Sequence, residues 1–253
     1  MRHILCAVLL LAAVSVAQTP NNPPAGAPSL ENQKVLWQKL DATIHDVDQQ
    51  LDGVMGVAIE DLKTGDQFLL HENEVFAQAS SIKITVLADL YLQVQQGKLK
   101  LTDLYTVQTS DLVPDSDIMG GLTAGVTRIT LRDLATMMVA VSDNSATNVL
   151  IDRVGMDNKV LSTNKDSWIP RDLPAGVKIA NKPGAIEAVR NDSGIVFVEG
   201  RPYVICVMTA FLANERDGEQ AISKISLAAW RMFDRLSRAS EYGRVVSPGN
   251  GAR

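Results

Sequence analysis

The chain has 253 residues, of which 46% are hydrophobic and 21% charged, and a formal net charge of −5. That length suffices for one good-sized domain or two lobes. The acidic balance, without any basic patch interleaved with aromatics, excludes nucleic acid as a partner class, and two cysteines, Cys6 and Cys206, exclude a disulfide framework.

In chain order, Met1-Arg2-His3 is a small basic start and Ile4 to Val16 an apolar run broken only by Ser15. With the small residues Ser15-Val16-Ala17 this predicts a signal peptide over 1–17, cleaved before Gln18. An uncleaved anchor is the alternative, but the run is too short for a spanning helix, so no membrane association is expected after cleavage. Loss of Arg2 would take the net charge to −6 and loss of Cys6 would leave Cys206 alone in the apolar run Val204–Met208, as a buried thiol. An exported chain without disulfides points to a bacterial periplasm. Residues 18–28, rich in Pro and Asn, predict a disordered linker.

From Ser29 to about Gln50, apolar residues at Val35, Leu36, Leu40, Ile44, Val47 and Leu51 have helical spacing, with Ser29 as N-cap. Gly53–Leu62 predicts a strand, Lys63-Thr64-Gly65-Asp66 a turn and Gln67–His71 the returning strand. A helix follows over Ala79–Gln96, stopped by Gly97, then helices over Leu131–Val141 and Ala146–Val154. Val177–Ala180, Ser193–Val198 and Tyr203–Ala210 predict strands, Gly218–Leu236 a closing amphipathic helix and Ala239–Arg253 a frayed tail. The order implies an α+β fold. Strands from both ends would share one antiparallel sheet under the terminal helices, forming a discontinuous lobe over 29–72 and 165–238. Residues 73–164 would form a helical lobe, with a ligand cleft between the two.

Three short stretches carry chemistry: Ser80-Ser81-Ile82-Lys83, Ser142-Asp143-Asn144 and Lys182-Pro183-Gly184. Ser80 and Lys83, three apart at the start of a predicted helix, project from one face. A serine hydroxyl needs a base within hydrogen-bond reach, and a desolvated lysine with a lowered pKa can serve. The bland alternative is an N-cap serine beside a surface lysine. A second match, Ser162-Thr163-Asn164-Lys165, lies where helical periodicity is lacking and is taken as chance. Ser142-Asp143-Asn144 also reads as a simple helix cap, and Pro183-Gly184 as a turn between strands. No Gly-x-Ser-x-Gly occurs, and His45 and His71, the only histidines after the signal, make neither a catalytic triad nor a zinc signature. No metal or cofactor is expected.

In this order and context the three stretches resemble the Ser-x-x-Lys, Ser-Asp-Asn and Lys-Thr-Gly elements of the class A β-lactamases and penicillin-binding enzymes. Val141–Asn148 and Val189–Val196 are similar to the family's runs at those places. The resemblance implies a five-stranded antiparallel sheet with terminal helices and a helical lobe. It also implies an acyl-enzyme on Ser80, with Lys83 as its partner amine and Ser142 as relay to the leaving nitrogen. Asn144 would hold Lys83 and the substrate amide, and Asp143 would be structural. Lys182 would attract a substrate carboxylate and hold Ser142, and Gly184 would lie beside an oxyanion hole formed by the Ser80 and Ala185 N–H groups. Pro183 stands where the family carries a hydroxyl residue; the lost contact should cost about 1–3 kcal/mol of binding.

The family also places a water-activating Glu, within a Glu-x-x-x-Asn pattern, between the second and third elements. Here only 40 positions separate Ser142 from Lys182, and residues 145–181 contain no Glu; their acids are Asp152, Asp157, Asp166 and Asp172. Lys159–Ser167 joins directly what several helices and an Ω-loop would separate, as after an internal deletion that shortens the helical lobe. The expectation is therefore a monomeric serine hydrolase that opens β-lactam rings with slowed deacylation. The alternatives are a penicillin-binding protein that stays acylated and an inactive remnant or interaction module.

Overall fold

A computed structural model describes residues 29–114, 116–155, 167–240 and 243–244. The expected signal peptide and linker, the second Ser-x-x-Lys match, Asp157, Asp166 and most of the Lys159–Ser167 junction lie outside the described residues.

Helix α1 spans Leu30–Gln50, capped where Ser29 Oγ accepts the Asn32 N–H at 3.2 Å. It buries Leu40, Ile44 and Val47, spaced to fall on one stripe; Val35, expected on that stripe, is exposed. Strands β1 (Val54–Asp61) and β2 (Gln67–Leu70) form the first hairpin. After a 3₁₀ turn over Ala79–Ser81 come α2 (Ile82–Gln95), the short β3 (Leu104–Thr106) and β4 (Arg128–Thr130), α3 (Leu131–Ala140) and α4 (Asn144–Val154). The chain closes with β5 (Lys178–Ile186), β6 (Val189–Phe197), β7 (Tyr203–Ala210), α5 (Glu215–Ser237) and a two-residue ladder of β8 (Ala239–Ser240) with β9 (Gly243–Arg244).

The main sheet is five-stranded and antiparallel, ordered β2-β1-β7-β6-β5. Strands from both ends of the chain thus meet at β1–β7, as expected. Both terminal helices pack on one face, where Met55, Val57, Ile59, Ile205 and Val207 meet Leu40, Ile44, Ile222, Ile225 and Phe233. Phe233 stacks on Tyr203 at a centroid distance of 4.1 Å, a contact worth roughly 0.5–1.5 kcal/mol beyond its area. A second cluster, with Val86, Leu90, Leu134, Met138, Val149 and Leu150, unites α2, α3 and α4. Among the described residues no helix is long and apolar enough to cross a membrane.

Three expectations are corrected. Strand β5 runs six residues beyond Ala180, so Lys182-Pro183-Gly184 lies inside a strand and is not a turn. Proline is tolerated there because β5 is an edge strand. The reversal falls instead at Glu187-Ala188, where Ala188 takes φ 57°. Glu215 Oε1 accepts the Ala188 N–H at 3.1 Å and the Ala188 carbonyl accepts the Leu212 N–H at 3.1 Å, so tertiary contacts hold a conformation that alanine disfavours. Finally, α4 starts at Asn144, two residues before the expected Ala146, because Asp143 is its cap, and the start of the expected frayed tail forms the β8–β9 ladder.

Candidate active site

The segment entering the 3₁₀ turn is tied to the sheet before it turns. Asn191 of β6 donates from Nδ2 to the Ala77 carbonyl at 2.5 Å, and the Gln78 carbonyl accepts both the Ser81 N–H at 3.0 Å and the Ser81 hydroxyl at 2.6 Å. Ala79 sits at φ 45°. Ser80 is therefore presented from a tight turn and not from the first α-helical turn, and it is fully buried.

Lys83, one residue into α2, is also fully buried. Its Nζ lies 3.1 Å from Ser80 Oγ, 2.9 Å from Ser142 Oγ, 2.8 Å from the Ser142 carbonyl and 2.9 Å from Asn144 Oδ1. An ammonium can donate to three of these four oxygens, and a neutral amine, with two protons and a lone pair, can donate to two and accept the Ser80 hydroxyl. Burial, reinforced by the positive charge of Lys182 and opposed by Asp143, lowers the Lys83 pKa from 10.5 to about 7. The amine is then both acid and base near neutrality, as proton transfer requires.

Ser142 owes its place to the backbone. At φ 58° it is left-handed, an uncommon state for a residue with a Cβ. Its carbonyl and its hydroxyl both fall on Lys83 Nζ. Asp143, almost fully buried, carries the strain. Its Oδ1 accepts the Ala146 N–H at 2.9 Å as the cap of α4, and its Oδ2 accepts the N–H groups of Ile118 at 3.1 Å and Met119 at 3.0 Å. Ser145 Oγ adds a bond of 2.7 Å to Ser116 Oγ, so the loop before β4 is pinned to the start of α4.

From the opposite side comes β5. A Cβ built on Gly184 would lie 2.7 Å from the Gln78 carbonyl and 2.8 Å from the backbone nitrogens of Ser80 and Ser81, so only glycine lets the strand come this close to the turn. Ala185 follows it, buried. Lys182 is buried too; burial lowers its pKa from 10.5 to about 8, with Asp192 pulling the other way. Its Nζ donates to the Pro183 carbonyl at 2.9 Å. The bond to Ser142 implied by the resemblance is therefore not made, because the amine turns back onto its own strand.

Sequence reasoning overlooked Asp192. Its Oδ2 accepts the N–H groups of Trp168 and Ile169, each at 2.9 Å, and both carboxylate oxygens accept from Asn181 Nδ2. This latch fixes the chain where it returns from the helical part to β5. Burial raises the carboxyl pKa against those bonds. Val189, Arg190, Asn191 and Asp192 are all buried in succession in β6, so no alternation marks Asp192, and a polar residue in a strand ordinarily signals an exposed face.

Of the acids between the second and third motifs, Asp152 and Asp172 are exposed. Asp143 and Asp192 are committed to backbone N–H groups. The amine of Lys83 is the group next to Ser80 able to take a proton. On the first turns of α4 two buried atoms remain unpartnered, Asn144 Nδ2 and Asn148 Oδ1.

Comparison with known proteins shows what the chain is similar to in sequence and fold. The chain matches the model of the "Beta-lactamase enzyme family" over residues 37–163 and 159–233. It is 25% identical over 247 residues to the β-lactamase ROB-1 of Haemophilus influenzae, covering 90% of this chain and 77% of that protein. To a β-lactamase of Rhodobacter capsulatus it is 27% identical over 147 residues, which span 58% of this chain but only 44% of that protein. A mutant of PBP-A, solved as its acyl-enzyme with penicillin G, superposes with a TM-score of 0.68 at 21% identity, over 84% of this chain and 99% of that one.

Proposed function

The chain belongs to the β-lactamase enzyme family, and from that premise we propose that it opens β-lactam rings by forming an acyl-enzyme on Ser80. The observation that carries the reading is the buried amine of Lys83, in contact with Ser80 Oγ, Ser142 Oγ and Asn144 Oδ1 at once. In its neutral form the amine takes the Ser80 proton as Oγ attacks the lactam carbonyl carbon. The carbonyl oxygen becomes an oxyanion facing the N–H groups of Ser80 and Ala185, at the positive end of α2. As the C–N bond breaks, the proton passes from Lys83 through the Ser142 hydroxyl to the ring nitrogen. Lys182 supplies the positive charge for a substrate carboxylate, and Asn144 holds the substrate amide.

Release of the acyl group is slower than acylation in this reading. Residues 145–181 contain no Glu, and one general base commonly contributes about 10²–10⁴-fold. The family match breaks into two segments at 159–163, within the shortened stretch, which supports the loss of that base together with its loop. The same observation supports a second reading, a penicillin-binding protein that is acylated and stays so; a mutant of the structurally similar PBP-A was solved as its acyl-enzyme with penicillin G. In either case the protein acts as a monomer in the periplasm after export. A chromogenic cephalosporin separates the readings when colour and intact mass are followed together. Steady turnover supports the hydrolase. A single burst with a lasting adduct, absent in Ser80→Ala, supports the trapping protein. Neither signal overturns both.

A further inference from the structure

Asn144 and Asn148 are four residues apart in α4 and so share one face of the helix. Asn144 is fixed from one side, where its Oδ1 accepts from Lys83 Nζ at 2.9 Å. Its Nδ2, a donor with two protons, is buried without a partner, and so is Oδ1 of Asn148, an acceptor. Asn148 is itself more than nine-tenths buried. A buried donor and a buried acceptor left unpaired on one helical turn carry a desolvation cost that the fold does not recover. Their chemistry is complementary to one molecule of water, which accepts from the first and donates to the second.

We propose that Asn144 Nδ2 and Asn148 Oδ1 hold the water that hydrolyses the acyl-enzyme, with Lys83 as its base. The proposal rests on the acyl-enzyme reading above and names what replaces the absent glutamate. Asn144 has one amide proton for the substrate carbonyl and one for the water. The water donates one proton to Asn148 and aims the other at Lys83 Nζ, which is free to receive it once Ser80 is acylated and the earlier proton has left on the ring nitrogen. In the step, the water oxygen bonds to the ester carbon, its proton passes to Lys83, and the carbonyl electron pair moves onto the oxygen. The carbonyl then re-forms, the bond from carbon to Ser80 Oγ breaks, and Ser80 takes the proton back from the Lys83 ammonium. Atoms and charges balance with no further reactant. The lowered pKa of Lys83 suits both halves of the cycle. In this proposal Asn148 acts on the ester only through the water and is a positioning residue.

The test compares wild type, Asn148→Leu and Asn148→Asp. Each is acylated with excess penicillin G, the free drug is removed, and the loss of the adduct is timed by intact mass. In Asn148→Leu the adduct should form within about twofold of the wild-type rate but decay at least tenfold more slowly. Its Tm should be equal or higher, because an unpaired acceptor has gone; a merely structural asparagine would instead lower Tm and slow both steps. Asn148→Asp keeps an acceptor in place and should restore decay to within a few-fold of wild type, which also decides the matter if the leucine variant does not fold. Decay of the Asn148→Leu adduct at the wild-type rate overturns this proposal alone. So does a wild-type adduct that never decays, which leaves the trapping protein standing. If the wild type forms no adduct, the acyl-enzyme reading itself has failed and this inference falls with it.

Discussion

Gly184 and Ser80 are in backbone contact: a Cβ on the glycine would stand 2.8 Å from the serine's nitrogen. The edge strand β5 and the nucleophile turn thus approach so closely that no side chain fits between them, and in the proposed reaction that approach serves to bring the Ser80 and Ala185 N–H groups to one oxyanion. Gly184→Ala should push the two apart. A loss of about 1–3 kcal/mol of stability is expected from overpacking, with acylation of Ser80 slowed at least tenfold. Thermal melts and timed mass spectra of the adduct check the two effects separately; an unchanged acylation rate would show that the approach does not matter to the chemistry.

The pH dependence follows from the two buried amines. Acylation needs neutral Lys83 and charged Lys182, whose pKa values are lowered to about 7 and about 8. The rate should rise as pH climbs through about 7 and decline above about 8. Stability behaves differently. Between those values and the ordinary 10.5, the unfolded chain binds protons that the folded protein does not, so stability should increase with pH across that window. Burst rates and Tm values from pH 5.5 to 9.5 test both, and a flat acylation profile would remove Lys83 as the base.

Asp143 accepts three backbone N–H groups from two parts of the chain. Replacing it with alanine removes the cap of α4 and leaves the Ile118 and Met119 N–H groups unpaired, at a cost of roughly 2–4 kcal/mol. Because the same carboxylate holds Ser142 in its left-handed state, Asp143→Ala should also lose acylation in the fraction that remains folded. Denaturant unfolding and adduct formation in one sample would reveal a stable, active variant if the account is wrong.

Pro183 is the departure from the family's third element. Pro183→Thr should restore a hydroxyl to the carboxylate subsite and improve substrate binding by about 1–3 kcal/mol, roughly five- to hundredfold in KM. The rate of adduct decay should not change, since the threonine would touch the carboxylate and not the water. KM and decay rate for one penicillin, measured in both proteins, give the comparison.

Much of this was legible in the chain. The three-residue spacing of Ser80 and Lys83 anticipated that the two side chains meet, although Ser80 lies in the 3₁₀ turn before the helix, and apolar periodicity located the long helices within a few residues and every strand of the main sheet, though not the full extent of β5 and β6. Other features were not legible, for a common reason. The left-handed backbone at Ser142 and at Ala188, the 3₁₀ turn before α2 and the reach of β5 past Pro183 all oppose local preference. Each is held by a tertiary contact: Asp143 with Met119, Glu215 with Ala188, Asn191 with Ala77, and, for β5, its pairing with β6, where Pro183 lies opposite Asp192. The Asp192 latch escaped notice because a carboxylate inside a strand has no pattern of its own.

The residues and their order determined by themselves which chemistry the chain is equipped for and which base it lacks, because motif spacing and the absence of a glutamate are properties of the string. Only the tertiary structure decided how those groups meet. It set four oxygens around one buried amine, turned Lys182 onto its own strand and left two amide atoms of α4 unpaired. Such arrangements depend on contacts between segments up to 114 positions apart, whose combined packing outweighs local backbone preference.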